Sequence, residues 1–338
     1  MTKTIQVITD RAYDPETIVT PGEVIELQFD NPSNALSLRA AKLFHLLLAA
    51  AGADACEDKT HSVALVDLDY LRKLPFEDTI SIGRELVRTT IRFDRVKDGK
   101  QATAVGPMFS LMDRDVDADL GTLRFRLSPV LLEIMEASNH WAALKRQAVL
   151  AFTSRYGLRL YEMIALRKNM QHRSSEVFEL PELRDRLGVP AGKLRTWNDL
   201  NRKAIIPAIA EVNQLSGFTV SYEPMKRSRS VVAVRLSWDV GTTEKRDKTA
   251  KELNGSKVGR KARRDGTAET LVEAFPASGS LDFSTDKRWQ QIARTHGDGK
   301  DIDLIASDFR KWCADSNIPL DAPTIEKTFT GFCKRVVL

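Results

Sequence analysis

Glu182-Leu183-Arg184-Asp185-Arg186-Leu187-Gly188-Val189, followed by Trp197-Asn198-Asp199-Leu200-Asn201-Arg202-Lys203-Ala204 and running on to Leu215, is the stretch whose reading decides the fold. Leu183 and Leu187 stand four apart, as the buried positions of a short helix over Pro181–Leu187 do. Gly188 stops that helix, and Val189–Lys193 makes a turn. A longer helix is expected from about Trp197 to Leu215. On it Leu200, Ala204, Ala208 and Val212 step by four, with Ile205 and Ile209 beside them, so that this stripe packs inward. Arg202 and Lys203 fall on the other side, and Arg195 and Asn198 lie at or just before the start. Pro207 is expected to kink the helix or to end its straight part, because it has no N–H to donate. A short helix, a tight turn and a second helix make the arrangement that lays a helix in the DNA major groove. Arginine can bind guanine, and asparagine adenine, through two hydrogen bonds each. An amphipathic surface helix fits the same pattern, so the neighbouring segment has to decide.

That segment is a hairpin over Phe218–Trp238. Phe218, Val220 and Tyr222 alternate with Thr219 and Ser221, and Lys226, Arg227 and Arg229 gather at the tip. A basic wing after a helix–turn–helix, with Lys193 in the turn, suits phosphate contacts that fix position without reading bases. The first half repeats the order: helix Leu36–Ala51, strand Ser62–Val66, a helix with Leu68, Leu71 and Leu74, and a helix from Asp78 or Thr79 to about Arg92. Arg84, Arg88 and Arg92, spaced by four, would then share one face of that last helix. The stripe invites phosphate or guanine; a solvated face partly neutralised by Glu85 and Asp94 remains the alternative. Asp98-Gly99 between Ile91–Lys97 and Lys100–Val105 signals a two-residue hairpin, and Phe109–Met112 with Leu123–Leu127 a second β pair.

Working outward, residues 1–34 carry breakers at Pro15, Pro21, Gly22 and Pro32 and look irregular, apart from a short strand at Val24–Phe29. Helices are expected over Pro129–Ala137 and most of Trp141–Met170. After the wing, Trp289, Ile292 and Ala293, then Ile302, Ile305, Phe309 and Trp312, then Ile325, Phe329, Phe332 and Val336, lie on three helices of a small module. The fold class is therefore α+β: tandem winged-helix domains (a helix–turn–helix plus a β-hairpin wing), a basic linker and a small C-terminal helical module. The expected divisions are an irregular segment 1–34, a first winged helix 35–128, a second 129–240, a flexible basic linker 241–280 and the helical module 281–338.

At 338 residues and 42% hydrophobic content, such a chain can bury a core in each domain. The net charge is +5, and residues 244–265 hold nine Lys/Arg against four Asp/Glu, so this one segment carries the whole excess. It reads as a solvated linker and equally as a tether attracted to phosphate. No apolar run reaches the roughly 18 residues of a membrane span, and no secretory signal pattern opens the chain. Cys56, Cys313 and Cys333 are odd in number and far apart, which suits a reducing cytoplasm and neither a disulfide framework nor a zinc site. No G-x-x-x-x-G-K-[ST] loop is present; Gly255–Lys261 has the wrong spacing. His45, His61, His140, His172 and His296 are scattered. Asp113, Asp115, Asp117 and Asp119 alternate in one loop, but Ala118 and Arg124 stand where a calcium loop needs Gly and Glu. The expectation is a cytoplasmic protein that is not an enzyme and carries no cofactor or metal.

Thr153-Ser154-Arg155-Tyr156-Gly157-Leu158-Arg159-Leu160-Tyr161-Glu162-Met163 resembles the "S-x-Y-x-x-R-L-Y-E" segment of iteron-binding plasmid replication initiator (Rep) proteins. Glu182–Val189, Trp197–Leu200 and Ile206-Pro207-Ala208-Ile209-Ala210-Glu211-Val212-Asn213 resemble further segments of that family. The likeness covers roughly residues 35–240, specific in the second domain and architectural in the first. It implies two winged helices that bind double-stranded origin repeats as a monomer and help open the adjacent duplex. It also implies host replication proteins, such as a helicase or initiator, as partners, and a homodimer joined through the first domain that represses its own gene. A winged-helix transcriptional regulator without replication activity uses the same modules, and sequence does not separate the two. Base contacts are expected from Arg195, Asn198, Arg202 and Lys203.

Overall fold

The computed structural model describes residues 3–11, 14–29, 35–72, 74–97, 99–117, 121–170, 174–266, 274–282, 287–316, 318–322 and 324–336. The chain forms two compact units, Met1–Arg246 and Asp247–Leu338. The first contains, in order, α1 (Lys3–Asp10), β1 (Thr17–Pro21), α2 (Gly22–Ile25), β2 (Gln28–Phe29), α3 (Leu38–Ala51), β3 (His61–Ala64), α4 (Asp69–Arg72) and α5 (Phe76–Arg88). The strands β4 (Thr90–Lys97), β5 (Lys100–Pro107), β6 (Phe109–Arg114) and β7 (Thr122–Leu127) follow. Then come α6 (Pro129–Ala137), β8 (Trp141–Lys145), α7 (Arg146–Ala151), α8 (Arg155–Asn169), β9 (Ser175–Glu179) and α9 (Leu180–Arg186). The segment α10 (Trp197–Leu200), a π turn (Asn201–Ile205) and α11 (Ile206–Leu215) run on as one helix, followed by β10 (Phe218–Arg227) and β11 (Ser230–Val240).

α3 is apolar almost all round and packs within a hydrophobic cluster formed by residues of the first 135 positions, with Leu43, Leu46 and Leu47 shielded from solvent. Ser37 caps it by accepting the N–H of Ala40, and Gly52, at a φ of 56°, ends it. A buried helix must also find partners for its polar members. The Lys42 ammonium donates to the carbonyls of Leu150 (2.8 Å) and Phe152 (2.6 Å). His45 bridges the Glu162 carboxylate (2.8 Å) and the Thr20 hydroxyl (3.2 Å). Those partners lie on β1, on α7 and the residue just after it, and on α8, so α3 is bonded to segments that the sequence pattern assigns to different domains.

Among the described residues the strands pair in four small antiparallel sheets: β2-β4-β5, β3-β7-β6, β1-β8 and β10-β11-β9. The hairpin expected at Asp98-Gly99 is present, with Lys97 opposite Lys100 and Gly99 at a φ of 74°; Asp98 itself lies outside the described residues.

Several expectations need correction. Residues 1–34 are not simply irregular: α1, β1, α2 and β2 are formed, and Ile8, Ile18, Val24 and Ile25 are buried (30–34 lie outside the described residues). Val24–Phe29 is split between a helical turn and a two-residue strand. Trp141–Lys145 is a strand and not a helix, because it pairs with Thr17–Pro21, a partner far away in sequence. α5 stops at Arg88, where Thr89-Thr90-Ile91 brings β-branched side chains that favour extended backbone. Arg92 therefore lies on β4.

The linker 241–280 is also partly folded: α12 (Thr243–Asn254) and α13 (Arg260–Arg264) occupy it, and Phe275 belongs to the core that follows (267–273 lie outside the described residues). α14 (Lys287–His296), α15 (Ile302–Asp315) and α16 (Ile325–Val336) form the small helical module. Phe275, Trp289, Phe309 and Phe329 meet in its centre at ring separations of 4.6 to 5.8 Å. Asp301 caps α15 through the N–H groups of Asp303 and Leu304. No helix among the described residues is long and apolar enough to cross a membrane.

Candidate nucleic-acid interface

α9 ends at Arg186 with Leu187 as its cap, and Gly188 (φ 68°) lets the chain reverse; a side chain there would be strained and would press on Ala35. Gly192 (φ 73°) and Leu194 (φ 47°) give the turn two more left-handed residues. Leu194 pays for its conformation with steric strain, and the Arg184 guanidinium holds the backbone on both sides of it. Its Nη1 donates to the Lys193 carbonyl (3.3 Å) and its Nη2 to the Arg195 carbonyl (2.8 Å). The Arg195 side chain folds back to donate Nε–H to the Gly192 carbonyl (3.1 Å). Thr196 then caps the second helix, its hydroxyl accepting the Asp199 N–H at 3.1 Å.

The second helix continues through Pro207 by widening. The N–H of Ile206 donates to the Asn201 carbonyl, five residues back, in a π turn. The regular α-helical hydrogen bonding is thus interrupted by a wider turn just before the proline, where the sequence leads one to expect a break. On a regular helix each step of four overshoots a 3.6-residue turn by about 40°. The apolar series Leu200, Ala204, Ala208, Val212 would drift round the helix accordingly. The wider turn takes up part of that drift, and all four are fully buried, with Ile205 and Ile209 beside them. Arg195, Asn198, Arg202 and Lys203 are all exposed. Lys203 pairs with Asp199 at 3.0 Å, and this ammonium, with the Thr196 hydroxyl next, holds the Asp199 carboxyl below its ordinary range. The pair is open to water and is readily exchanged for another anion.

The wing follows directly. β10 and β11 pair from Phe218 opposite Val240 to Arg227 opposite Ser230, with an irregularity between Met225 and Lys226. Ser228, at a φ of 58°, turns the tip. Lys226, Arg227 and Arg229 are exposed there, as is Lys193 in the turn below α9. Asn213 joins this hairpin to the helix: its Nδ2 donates to the Val220 carbonyl (2.9 Å) and its Oδ1 accepts the Val220 N–H (2.6 Å). β9, not anticipated from sequence, adds a third strand, with Phe178 opposite Val234. Helix and wing are therefore one hydrogen-bonded piece.

In the first half Arg84 and Arg88 are exposed on α5, and Arg92 is exposed on the neighbouring strand, so the three do not form a stripe on one helix. Glu85 does not neutralise them. Its carboxylate accepts the N–H (2.6 Å) and hydroxyl (2.8 Å) of Ser37 at the start of α3. Asp94 lies 3.9 Å from Arg92 and accepts the Thr103 hydroxyl.

Two of the segments that carry the family likeness, 153–163 and 206–213, are architectural. Glu211 is buried and accepts three hydrogen bonds at the start of α8, from the Thr153 N–H (2.6 Å), the Thr153 hydroxyl (2.6 Å) and the Ser154 N–H (3.1 Å). Gly157 leaves room for that carboxylate, since a Cβ there would stand 2.4 Å from it. Tyr161 accepts the Lys145 N–H through its hydroxyl, and burial pushes its phenol up to about 12. Glu162 is buried; burial opposes its charge, but Arg159 and His45 more than offset this and hold the carboxyl below its ordinary range. Sequence reading missed Arg184, which has no local signal, and Thr196, whose spacing to Asp199 is a helix-start signature. Asp113 and Asp115 both pair with Arg124, at 2.7 and 2.5 Å, while Asp119 lies outside the described residues, as does His172. Among the described residues no group of three His, Cys, Asp or Glu side chains is placed to hold a metal.

Comparison with known proteins adds an independent finding. Residues 18–165 match the family described as "Initiator Replication protein, WH1", and residues 179–238 match "Initiator Rep protein, WH2". No curated protein matches the chain. Among solved structures, the crystal structure of Pi initiator protein in complex with iteron DNA superposes with a TM-score of 0.51. The match is at 15% identity and covers 67% of this chain and 98% of that one, which shows a shared fold. The family matches end at Trp238, so α12 to α16 lie outside them. With two winged-helix domains in the matching order, the chain belongs to the initiator Rep protein family.

Proposed function

We propose that the protein is a plasmid replication initiator that binds repeated origin sequences in double-stranded DNA through its two winged helices. One observation carries this reading above others. Asn198, Arg202 and Lys203 are exposed on a capped helix whose apolar stripe is fully buried and which is hydrogen-bonded to a basic wing, and Arg195 is exposed in the turn just before the cap. Such a helix can present side chains to base edges while Lys193, Lys226, Arg227 and Arg229 engage the flanking phosphates. Arg84, Arg88 and Arg92 are the corresponding cations of the first module. The hydrogen bonds that α3 makes to β1, α7 and α8 support a fixed spacing between the modules, as reading successive major-groove faces about 34 Å apart requires.

The finer parts of the proposal follow the family: monomers bind direct repeats and help open the adjacent duplex, host replication proteins are recruited, and dimers joined through the first module repress the gene. Footprinting of the purified protein on its own replicon tests the reading, with protection of evenly phased direct repeats as the expected result. No ordered footprint would sink it. An origin plasmid that persists only when the protein is supplied separates an initiator from a regulator, for which only promoter output would change.

A further inference from the structure

We infer that the folded hairpin of α12 and α13 is a separate binding surface for the nucleic-acid phosphate backbone, outside the two winged helices. The segment 244–265 carries the chain's entire charge excess, which as a loose tether would be a diffuse cloud of charge. It is instead a built element. Glu252 is buried, and two guanidinium groups close on it: Arg260 through Nε (3.1 Å) and Arg263 through Nε (3.0 Å) and Nη2 (2.7 Å). Arg260 also donates to the Glu252 carbonyl, and Arg263 reaches the carbonyls of Ser256 and Val258, so the turn between the helices is held from within. Gly259, at a φ of 74°, makes that turn possible.

This lock decides how the charge is distributed. The one buried acid of the hairpin is spent on two buried or half-buried arginines, and Arg264 faces Asp265 at 3.7 Å. Lys248, Lys257 and Lys261 are exposed, and among the described residues they form no ion pair with a carboxylate. Arg246 and Lys251 are exposed with them. Cations held at fixed positions on a folded element attract a polyanion without any order in its bases. Exposed ammonium groups donate to phosphate oxygens whatever the bases between them, so phosphate is the recognised group.

The test uses the full-length protein with Lys248, Lys257 and Lys261 all changed to alanine, and a second variant with all three changed to arginine. Binding to a random-sequence duplex and to an oligo-dT strand is measured across a salt series. Each lost phosphate contact lowers the salt slope by about 0.9 on duplex and about 0.7 on single strand. The alanine variant is expected to lose two to three contacts' worth of slope on at least one of the two, with the arginine variant close to the parent; roughly 2 to 3 units on duplex is the upper range. Loss on duplex alone assigns flanking DNA, and loss on oligo-dT alone assigns a displaced strand. Unchanged slopes on both, with an unchanged far-ultraviolet spectrum, would overturn the inference. The result is independent of base reading: if the parent showed no preference for origin repeats, the proposed function would fail while this slope difference could still be read.

Discussion

Replacing Glu211 with alanine removes an acceptor on which two halves of the first unit depend. The carboxylate is 1% exposed and takes three hydrogen bonds from Thr153 and Ser154, at 2.6, 2.6 and 3.1 Å. Hydrogen bonds to a charged group contribute about 1.5–3 kcal/mol each, and buried N–H groups left without a partner cost about 1–3 kcal/mol. The three bonds are not independent, since Thr153 supplies two and the helix end can relax, so about 3–5 kcal/mol is the expected net loss. In a unit of this size about 1 kcal/mol moves the melting temperature by roughly 2–4 °C, so E211A should melt about 6–20 °C below the parent. Calorimetry measures this, and a urea titration should show a lower midpoint with the same slope. Gly157→Ala pushes a methyl to 2.4 Å from the same carboxylate and should destabilise in the same direction. An E211A protein within about 1 kcal/mol of the parent, the size of an ordinary substitution, would refute the claim that this carboxylate joins α8 to α11.

Three further outcomes follow from the interface. Arg184→Ala frees the Lys193 and Arg195 carbonyls beside Leu194; repeat binding should fall about tenfold (about 1.4 kcal/mol) with the salt slope on random DNA unchanged, and equal affinities in competition would count against the clamp. Asn213→Ala breaks both bonds to Val220, so the wing loosens; stability should fall by about 1–3 kcal/mol and repeat binding with it, and an unaltered hydrogen-exchange rate in the wing would contradict the coupling. Charge reversal at Arg84 and Arg88 together, both exposed, should leave stability within about 0.5 kcal/mol of the parent for each change. The same double variant should weaken binding most at low salt, and salt-independent loss would argue against phosphate contact.

What the sequence makes legible is what short-range spacing encodes. Leu183 and Leu187 before Gly188, the stripe through Leu200 and Val212, the Gly99 turn and the three apolar helices of the C-terminal module all appear in the structure as periodicity and turn chemistry require. The exposure of Asn198, Arg202 and Lys203 follows from the same stripe, whereas Arg195 lies in the turn before the cap, where its side chain folds back on Gly192. What it conceals is decided by distant partners. Trp141–Lys145 is extended because Thr17–Pro21 lies beside it, and β9 exists because β11 offers an edge. Arg92 leaves the arginine stripe because Thr89, Thr90 and Ile91 enter a strand paired with β5. The basic segment looks disordered by composition, but it is folded, with two arginines closing on the buried Glu252, a pairing that composition does not encode. Arg184 could not be anticipated, since its role is set by the carbonyls of a turn nine and eleven residues on.

The most direct test of the account is Arg202→Ala measured on one origin repeat and on a scrambled sequence of the same length and composition. The side chain is exposed on the helix that should face the bases. Loss of about 1–3 kcal/mol, roughly 5- to 150-fold, on the repeat, with a far smaller change on the scrambled duplex, is the predicted result. Equal losses on both sequences would show that the helix does not read bases.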